Sequence, residues 1–206
     1  MKKNPYSGKF IALEGLDGSG QTTQAKLLQN FIKEKGVDTI LTKEPTWEND
    51  AGTWINNALR ENKKLDLDEL KLLQEKFAED RKWHQKNIIE PALKNGKIVI
   101  SDRSQFSSFA FGAASGIDIN HLFALNNKFI SPDIVILLKV SPSVCMKRIQ
   151  QRAERKALFE KEKQLEKVWE VYEKLAKRFK NIIIVDGEKT IEEVHKEISQ
   201  IIKKIL

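Results

Sequence analysis

The residues most able to do chemistry sit in one short stretch, Gly15-Leu16-Asp17-Gly18-Ser19-Gly20-Gln21-Thr22-Thr23, which follows the apolar run FIALE. Gly15 and Gly20 have the spacing of a phosphate-binding loop of pattern G-x-x-x-x-G-K-S/T. Glycines suit such a loop because backbone N–H groups must curl around phosphate oxygens, where a Cβ would obstruct them. A helix starting at Thr22 would add the partial positive charge of its N-terminus, and the Thr22 hydroxyl would be placed for Mg²⁺. One element is missing. Gln21 stands where an ammonium group should reach the β- and γ-phosphates. The alternative is a plain Gly-rich turn, but the strand before it, the helix after it and the Thr22-Thr23 pair favour phosphate binding.

A second candidate follows the run KIVIS, where Asp102-Arg103 would lie at the carboxyl edge of a sheet, the edge at which such folds bind ligands. The carboxylate can organise Mg²⁺ and its waters; the guanidinium can grip phosphate through two parallel bonds. Alone, the pair reads better as an exposed ion pair; together with the Gly-rich loop the functional reading is favoured.

These residues need a scaffold, and the chain supplies one pattern throughout its 206 residues. Five short, β-branched runs at 10–14, 37–42, 97–101, 133–140 and 181–186 are apolar on both faces, as parallel strands covered by helices should be. Helical patterns are predicted at 22–35, 51–61, 66–94, in two pieces within 105–129, and at 142–152, 159–180 and 190 onward. Alternation of this kind predicts an α/β protein with a parallel sheet and right-handed crossovers, as one domain over 1–206. The charged stretch 151–180 reads as a helical lid.

Composition narrows the classes. With 40% hydrophobic residues the chain can bury a sizeable core. No apolar run approaches a membrane span, and the opening MKKNPYSGKF lacks a signal-peptide core, so a cytoplasmic protein without a membrane partner is expected. The lone Cys145 excludes a disulfide framework and a Cys-rich zinc site. Twelve basic and six acidic residues between 147 and 180 carry most of the net charge of +7. That stretch reads as a solvated helix face or as a phosphate- or nucleic-acid-binding surface. Its aromatics Phe159, Trp169, Tyr172 and Phe179 have a spacing better explained by packing, so nucleic acid is not the expected partner.

Several segments, in order, resemble the thymidylate kinases of the nucleoside monophosphate kinase group. FIALEGLDGSGQTTQAKLL resembles their phosphate loop, TKEPT (42–46) their T-R-E-P loop, and FAEDRKWH (77–84) their F-A-x-D-R-x-x-H helix. DRSQFSSFAFGAASGID (102–118) resembles D-R-Y-x-x-S-S-x-A-Y-Q-G, and ILLKVSPSVCMKRIQQR (136–152) the stretch leading into the lid. The resemblance implies a phosphate-loop NTPase fold, a three-layer α/β/α sandwich with a five-stranded parallel sheet and a helical lid at roughly 148–160. It implies transfer of the γ-phosphate of ATP to dTMP in dTTP synthesis, with Mg²⁺ as cofactor and a homodimer as the assembly.

Carried over by position, the resemblance gives Gly15, Asp17, Gly18, Ser19, Gly20, Gln21, Thr22 and Thr23 to ATP, and Thr22 and Asp102 to the metal. Phe77 would stack on thymine and Arg81 would bond its O4. Lys43 would hold the acceptor phosphate, Asp17 would meet the 3′-hydroxyl, and Ser108 and Phe111 would face the nucleoside. Arg103 would cover the transferring phosphoryl group with Asp102 beside it, joined by one or more of the lid arginines Arg148, Arg152 and Arg155.

The departures are as informative. Besides Gln21, Lys43 replaces an arginine, Ser104 an aromatic, Phe111-Gly112 a Tyr-Gln pair and Lys139 an aspartate. They leave open a catalytically weak nucleotide-binding relative, or a kinase for another deoxynucleoside or nucleoside monophosphate. Lys139, one charge at the end of an apolar strand, is a candidate to replace the missing lysine; pointing into solvent is the alternative.

Overall fold

A computed structural model describes residues 1–61, 63, 65–151 and 158–205. The five apolar runs form one parallel sheet: β1 Lys9–Gly15, β2 Thr39–Lys43, β3 Ile98–Asp102, β4 Ile134–Lys139 and β5 Ile182–Asp186, in the order β2-β3-β1-β4-β5. β1 lies in the middle, and every one of its residues after Lys9 is buried. Its Phe10, Ile11 and Leu13 are fully buried, each contributing about 1.5–3 kcal/mol. The register sets Leu13 beside Asp102 of β3 and Gly15 beside Leu138 of β4. The carboxyl ends of the three central strands are thereby level.

Alternation along the strands feeds two helical layers. On one face Ile11, Leu13, Ile100, Ile136 and Leu138 pack against Ala25, Leu28 and Ile32 of α1 (Gln21–Glu34) and Val194, Ile198 and Ile202 of the C-terminal helix α9 (Ile191–Ile202). On the other, Ala12, Val135 and Leu137 meet α5 (Gln105–Ala114), α7 (Pro142–Gln150) and α8 (Leu158–Arg178) through Phe106, Phe109, Cys145, Val168 and Tyr172. The three-layer α/β/α architecture matches the sequence expectation. Of the aromatics in the basic stretch, Tyr172 is buried and Phe179 packs edge-to-face on Phe106, so both serve the core.

Further helices are α2 (Asp50–Arg60), α3 (Leu67–His84), α4 (Glu90–Lys94) and α6 (Ile119–Asn126). α3 opens on a reciprocal capping box between Asp66 and Glu69, which satisfies two of its free terminal donors. Sequence periodicity predicts one helix over 66–94; the structure interrupts it with a π turn, Gln85–Ile89, before α4. Two causes coincide. Pro91 has no N–H for the preceding turn, and Gln85 turns inward to exchange two hydrogen bonds with the Ile130 backbone, its Nε2 donating to the oxygen and its Oε1 accepting from the nitrogen, both at 2.9 Å. The Glu90 N–H consequently reaches back five residues, to the Gln85 carbonyl.

Candidate active site

The loop leaving β1 curls through left-handed backbone at Gly18 (φ 86°) and Gly20 (φ 98°). A Cβ at Gly18 would lie 2.7 Å from the Cys145 carbonyl oxygen, so both its backbone angle and its space call for glycine. Gly20 forms the N-cap of α1 and offers no side-chain cap, which leaves the first amides of that 14-residue helix for another acceptor. Beside them the Ser19 hydroxyl is buried with no hydrogen-bond partner among the described residues. An orphan donor next to uncapped amides suits an anion with several oxygens.

The level strand ends bring the second motif to this loop. Thr22 Oγ1 donates to Asp102 Oδ2 at 2.5 Å. Arg103 holds a left-handed backbone angle (φ 75°) and its N–H donates to the Leu13 carbonyl at 3.0 Å, which folds its side chain back over the end of β1. There Nη2 donates to Asp17 Oδ1 at 2.8 Å and to Gln21 Oε1 at 3.2 Å, while Nη1 donates to the Gly15 carbonyl at 3.2 Å and to Ser107 Oγ at 2.9 Å. Burial works against the Arg103 charge, but the nearby Asp17 and Glu14 more than offset it and hold the guanidinium charged.

Beneath Arg103 lies a group that the sequence reading missed. Glu14 of β1 is 0% exposed and accepts from the Ser104 N–H and hydroxyl at 2.7 Å each, from Ser107 Oγ at 2.6 Å and from Tyr172 Oη at 2.8 Å. Burial raises its carboxyl, partly opposed by Arg103 and these donors. Its signal was present: a single acid in an otherwise apolar strand.

The residues expected at the nucleoside gather on α3 and α5. Arg81 is 2% exposed; its Nε and Nη2 both lie 2.8 Å from Glu44 Oε2, Nη2 donates to Ser108 Oγ at 3.1 Å, and Nη1 donates to Asn126 Oδ1. Burial alone would raise the Glu44 carboxyl, but Arg81 and His84 outweigh it and hold it below the ordinary range. The Thr46–Asn49 turn is tied to buried Asp80, which accepts from Thr46 N, Thr46 Oγ1 and Asn49 Nδ2. Phe77, half-buried, lies one turn before Arg81. Phe111 faces Arg103, whose guanidinium carbon is 5.2 Å from the ring centre. Glu44, His84 and Asn126 were also missed; only their distant partners give them a role.

Two clefts flank the loop. One, of ≈ 290 Å³, is lined by Thr22, Lys26, Lys43, Thr46, Glu48 and Asp102, so Lys43 shares a space with the Thr22–Asp102 pair. The other, of ≈ 250 Å³, lies between Gly18–Gly20 and Gly187, Lys189 and Ile191. Arg148 closes it, donating to the carbonyls of Ser19 (3.4 Å) and Gly187 (3.2 Å). Arg152, Arg155 and the rest of 152–157 within the expected lid lie outside the described residues. Lys139 lines neither cleft; it is exposed near Glu188, whose carboxyl is held low mainly by its hydrogen bonds from Ser141, with Arg148 and Lys139 adding to the effect. Cys145 is buried, and burial pushes its thiol up to about 12.

A Gly-rich loop between the central strand and α1, with Asp-Arg on the adjoining strand end, defines a phosphate-loop fold built to handle nucleotide phosphates. Residues 13–198 match the family model for thymidylate kinase. A probable thymidylate kinase of Pyrococcus horikoshii is 41% identical over 95% of this chain and 96% of its own length, and one of Thermococcus onnurineus 42% identical over 94% and 97%. A thymidylate kinase of Fervidobacterium nodosum is 35% identical over 96% of this chain and its whole length. The chain belongs to the thymidylate kinase family.

Proposed function

We propose that the protein transfers the γ-phosphate of ATP to dTMP, giving dTDP and ADP. The observation that carries this reading is the strand register: it sets the uncapped amides of α1, the Thr22–Asp102 pair and the Arg103 guanidinium around one point at the sheet edge. Phosphoryl transfer asks mainly for in-line positioning and for positive charge around the moving oxygens. The loop amides and Ser19 would hold the donor phosphates, with the donor's nucleoside in the cleft under Arg148. Lys43, across the other cleft, would fix the acceptor phosphate, and Arg103 would stand between the two. Phe77, with Arg81 and Ser108 behind it, would receive thymine.

One carboxylate and one hydroxyl fit Mg²⁺, an ion that keeps several waters and binds largely through substrate phosphates. When bound, it would screen the phosphate oxygens; Thr22 and Asp102 are the residues that would hold it. We further read 1–206 as one working unit and as half of a homodimer. Leu59 of α2 and Leu67 and Leu72 of α3 are exposed large apolar side chains on neighbouring helices, which supports a partner surface there. Among the described residues no helix is long and apolar enough to cross a membrane.

The test is turnover with a panel of monophosphates. dTMP should be the best acceptor and dUMP a poorer second. Phe77→Ala should raise the KM for dTMP at least tenfold more than that for ATP; equal effects would remove Phe77 from the base site. Phe77 is the better probe because Arg81 also neutralises buried Glu44, so removing it would disturb the fold as well.

A further inference from the structure

The loop lacks its lysine, yet a cation touches the residue that replaces it. The Gln21 side chain is 6% exposed and both ends are engaged: Nε2 donates to the Gly15 carbonyl at 3.0 Å, and Oε1 accepts from Arg103 Nη2 at 3.2 Å. The Gly15 carbonyl is also bonded by Arg103 Nη1 at 3.2 Å, so amide and guanidinium form a closed set with the loop backbone. Asp17 fixes the guanidinium from the loop side, and Ser107, itself seated on buried Glu14, fixes it from α5. Arg103 holds the left-handed backbone that brings it here, a conformation that a residue with a Cβ adopts only when its surroundings enforce it.

We propose that Gln21 and Arg103 together replace the phosphate-loop lysine: the amide docks the guanidinium on the loop, and the guanidinium supplies the positive charge to the β- and γ-phosphates. This rests on the reading of Arg103 as a site residue. Glutamine suits position 21 for a physical reason. Its oxygen accepts from Arg103, whereas an ammonium there offers only donors and brings a second positive charge into contact with the first. Lysine at 21 and a docked Arg103 therefore exclude each other. Lys139, exposed and near Glu188, is not needed for the replacement.

The test is a four-protein cycle of the parent chain, Gln21→Lys, Arg103→Ala and the double variant, read as kcat and KM for ATP and dTMP. Arg103→Ala should lower kcat by about 10²–10³, the usual loss for a positioned transition-state donor. Gln21→Lys should lower kcat about tenfold in the parent but raise it at least tenfold in the Arg103→Ala background, a reversal of sign that independent sites do not show. If Gln21→Lys raises kcat by the same factor in both backgrounds, the replacement is overturned while Arg103 keeps its place in the site. If Arg103→Ala retains full turnover, the site assignment itself fails. Gln21→Met, similar in size but unable to bond Arg103, guards against misfolding: lowered kcat with an unchanged unfolding midpoint supports the docking role, and unchanged kcat overturns it.

Discussion

Two buried side chains make sharp tests at the scale of single residues. Glu44 is ionised between Arg81 and His84 and its carboxyl is held low, so its stabilisation is present above the ordinary value near 4.5 and is lost as the pH falls through the depressed one. Glu44→Gln leaves Arg81 uncompensated. It should cost about 3–5 kcal/mol at neutral pH in urea unfolding and should remove part of the loss of stability below pH 4.5. Cys145, with its thiol raised to about 12, should not react with a thiol reagent at pH 8 in the native protein and should react at once in denaturant. At this scale the sequence was readable where spacing alone carries chemistry, as for Gly15 to Gly20 and Asp102-Arg103. It was silent on the contact of Gln21 with Arg103, because the partner lies 82 residues away and the chain displays only a missing lysine.

Among the elements, the pairing of α5 with α6 explains one departure from the family pattern. Gly112 stands where a glutamine is expected, and a Cβ there would lie 2.9 Å from both terminal carbons of Leu122 and 3.3 Å from the Gln74 amide carbon. The small residue lets α6 come close. Gly112→Gln should therefore destabilise by about 1–3 kcal/mol through overpacking, measured as a lower unfolding midpoint. Strand and helix positions were legible because the strands are apolar on both faces and the helices amphipathic. The π turn was not, since Pro91 alone would be compatible with a helix start and the second cause, Gln85 bonded to Ile130, spans 45 residues.

For the whole molecule, the fold and the family were both readable from the order of the motifs, whereas assembly is carried by surface. Leu59, Leu67 and Leu72 place exposed apolar area on α2 and α3. Sedimentation at micromolar concentration should show a species of twice 23.7 kDa, and Leu72→Glu should shift it toward the single chain. A lone 23.7 kDa species for the parent chain would reject the dimer.

The hydrogen bond from Tyr172 to Glu14 joins residues 158 positions apart, and this bears on the order in which the protein is made. The central strand emerges from the ribosome carrying an acid that must be buried, but α8, which brings one of its donors, follows only after β2, β3 and β4 have been made. Until then Glu14 has only Ser104 and Ser107 to donate to it, and the α8 side of β1 stays open to water. The sheet edge that carries Arg103 is thus completed only once α8 has been made, and a nascent chain ending before α8 should fail to hold Arg103 in place.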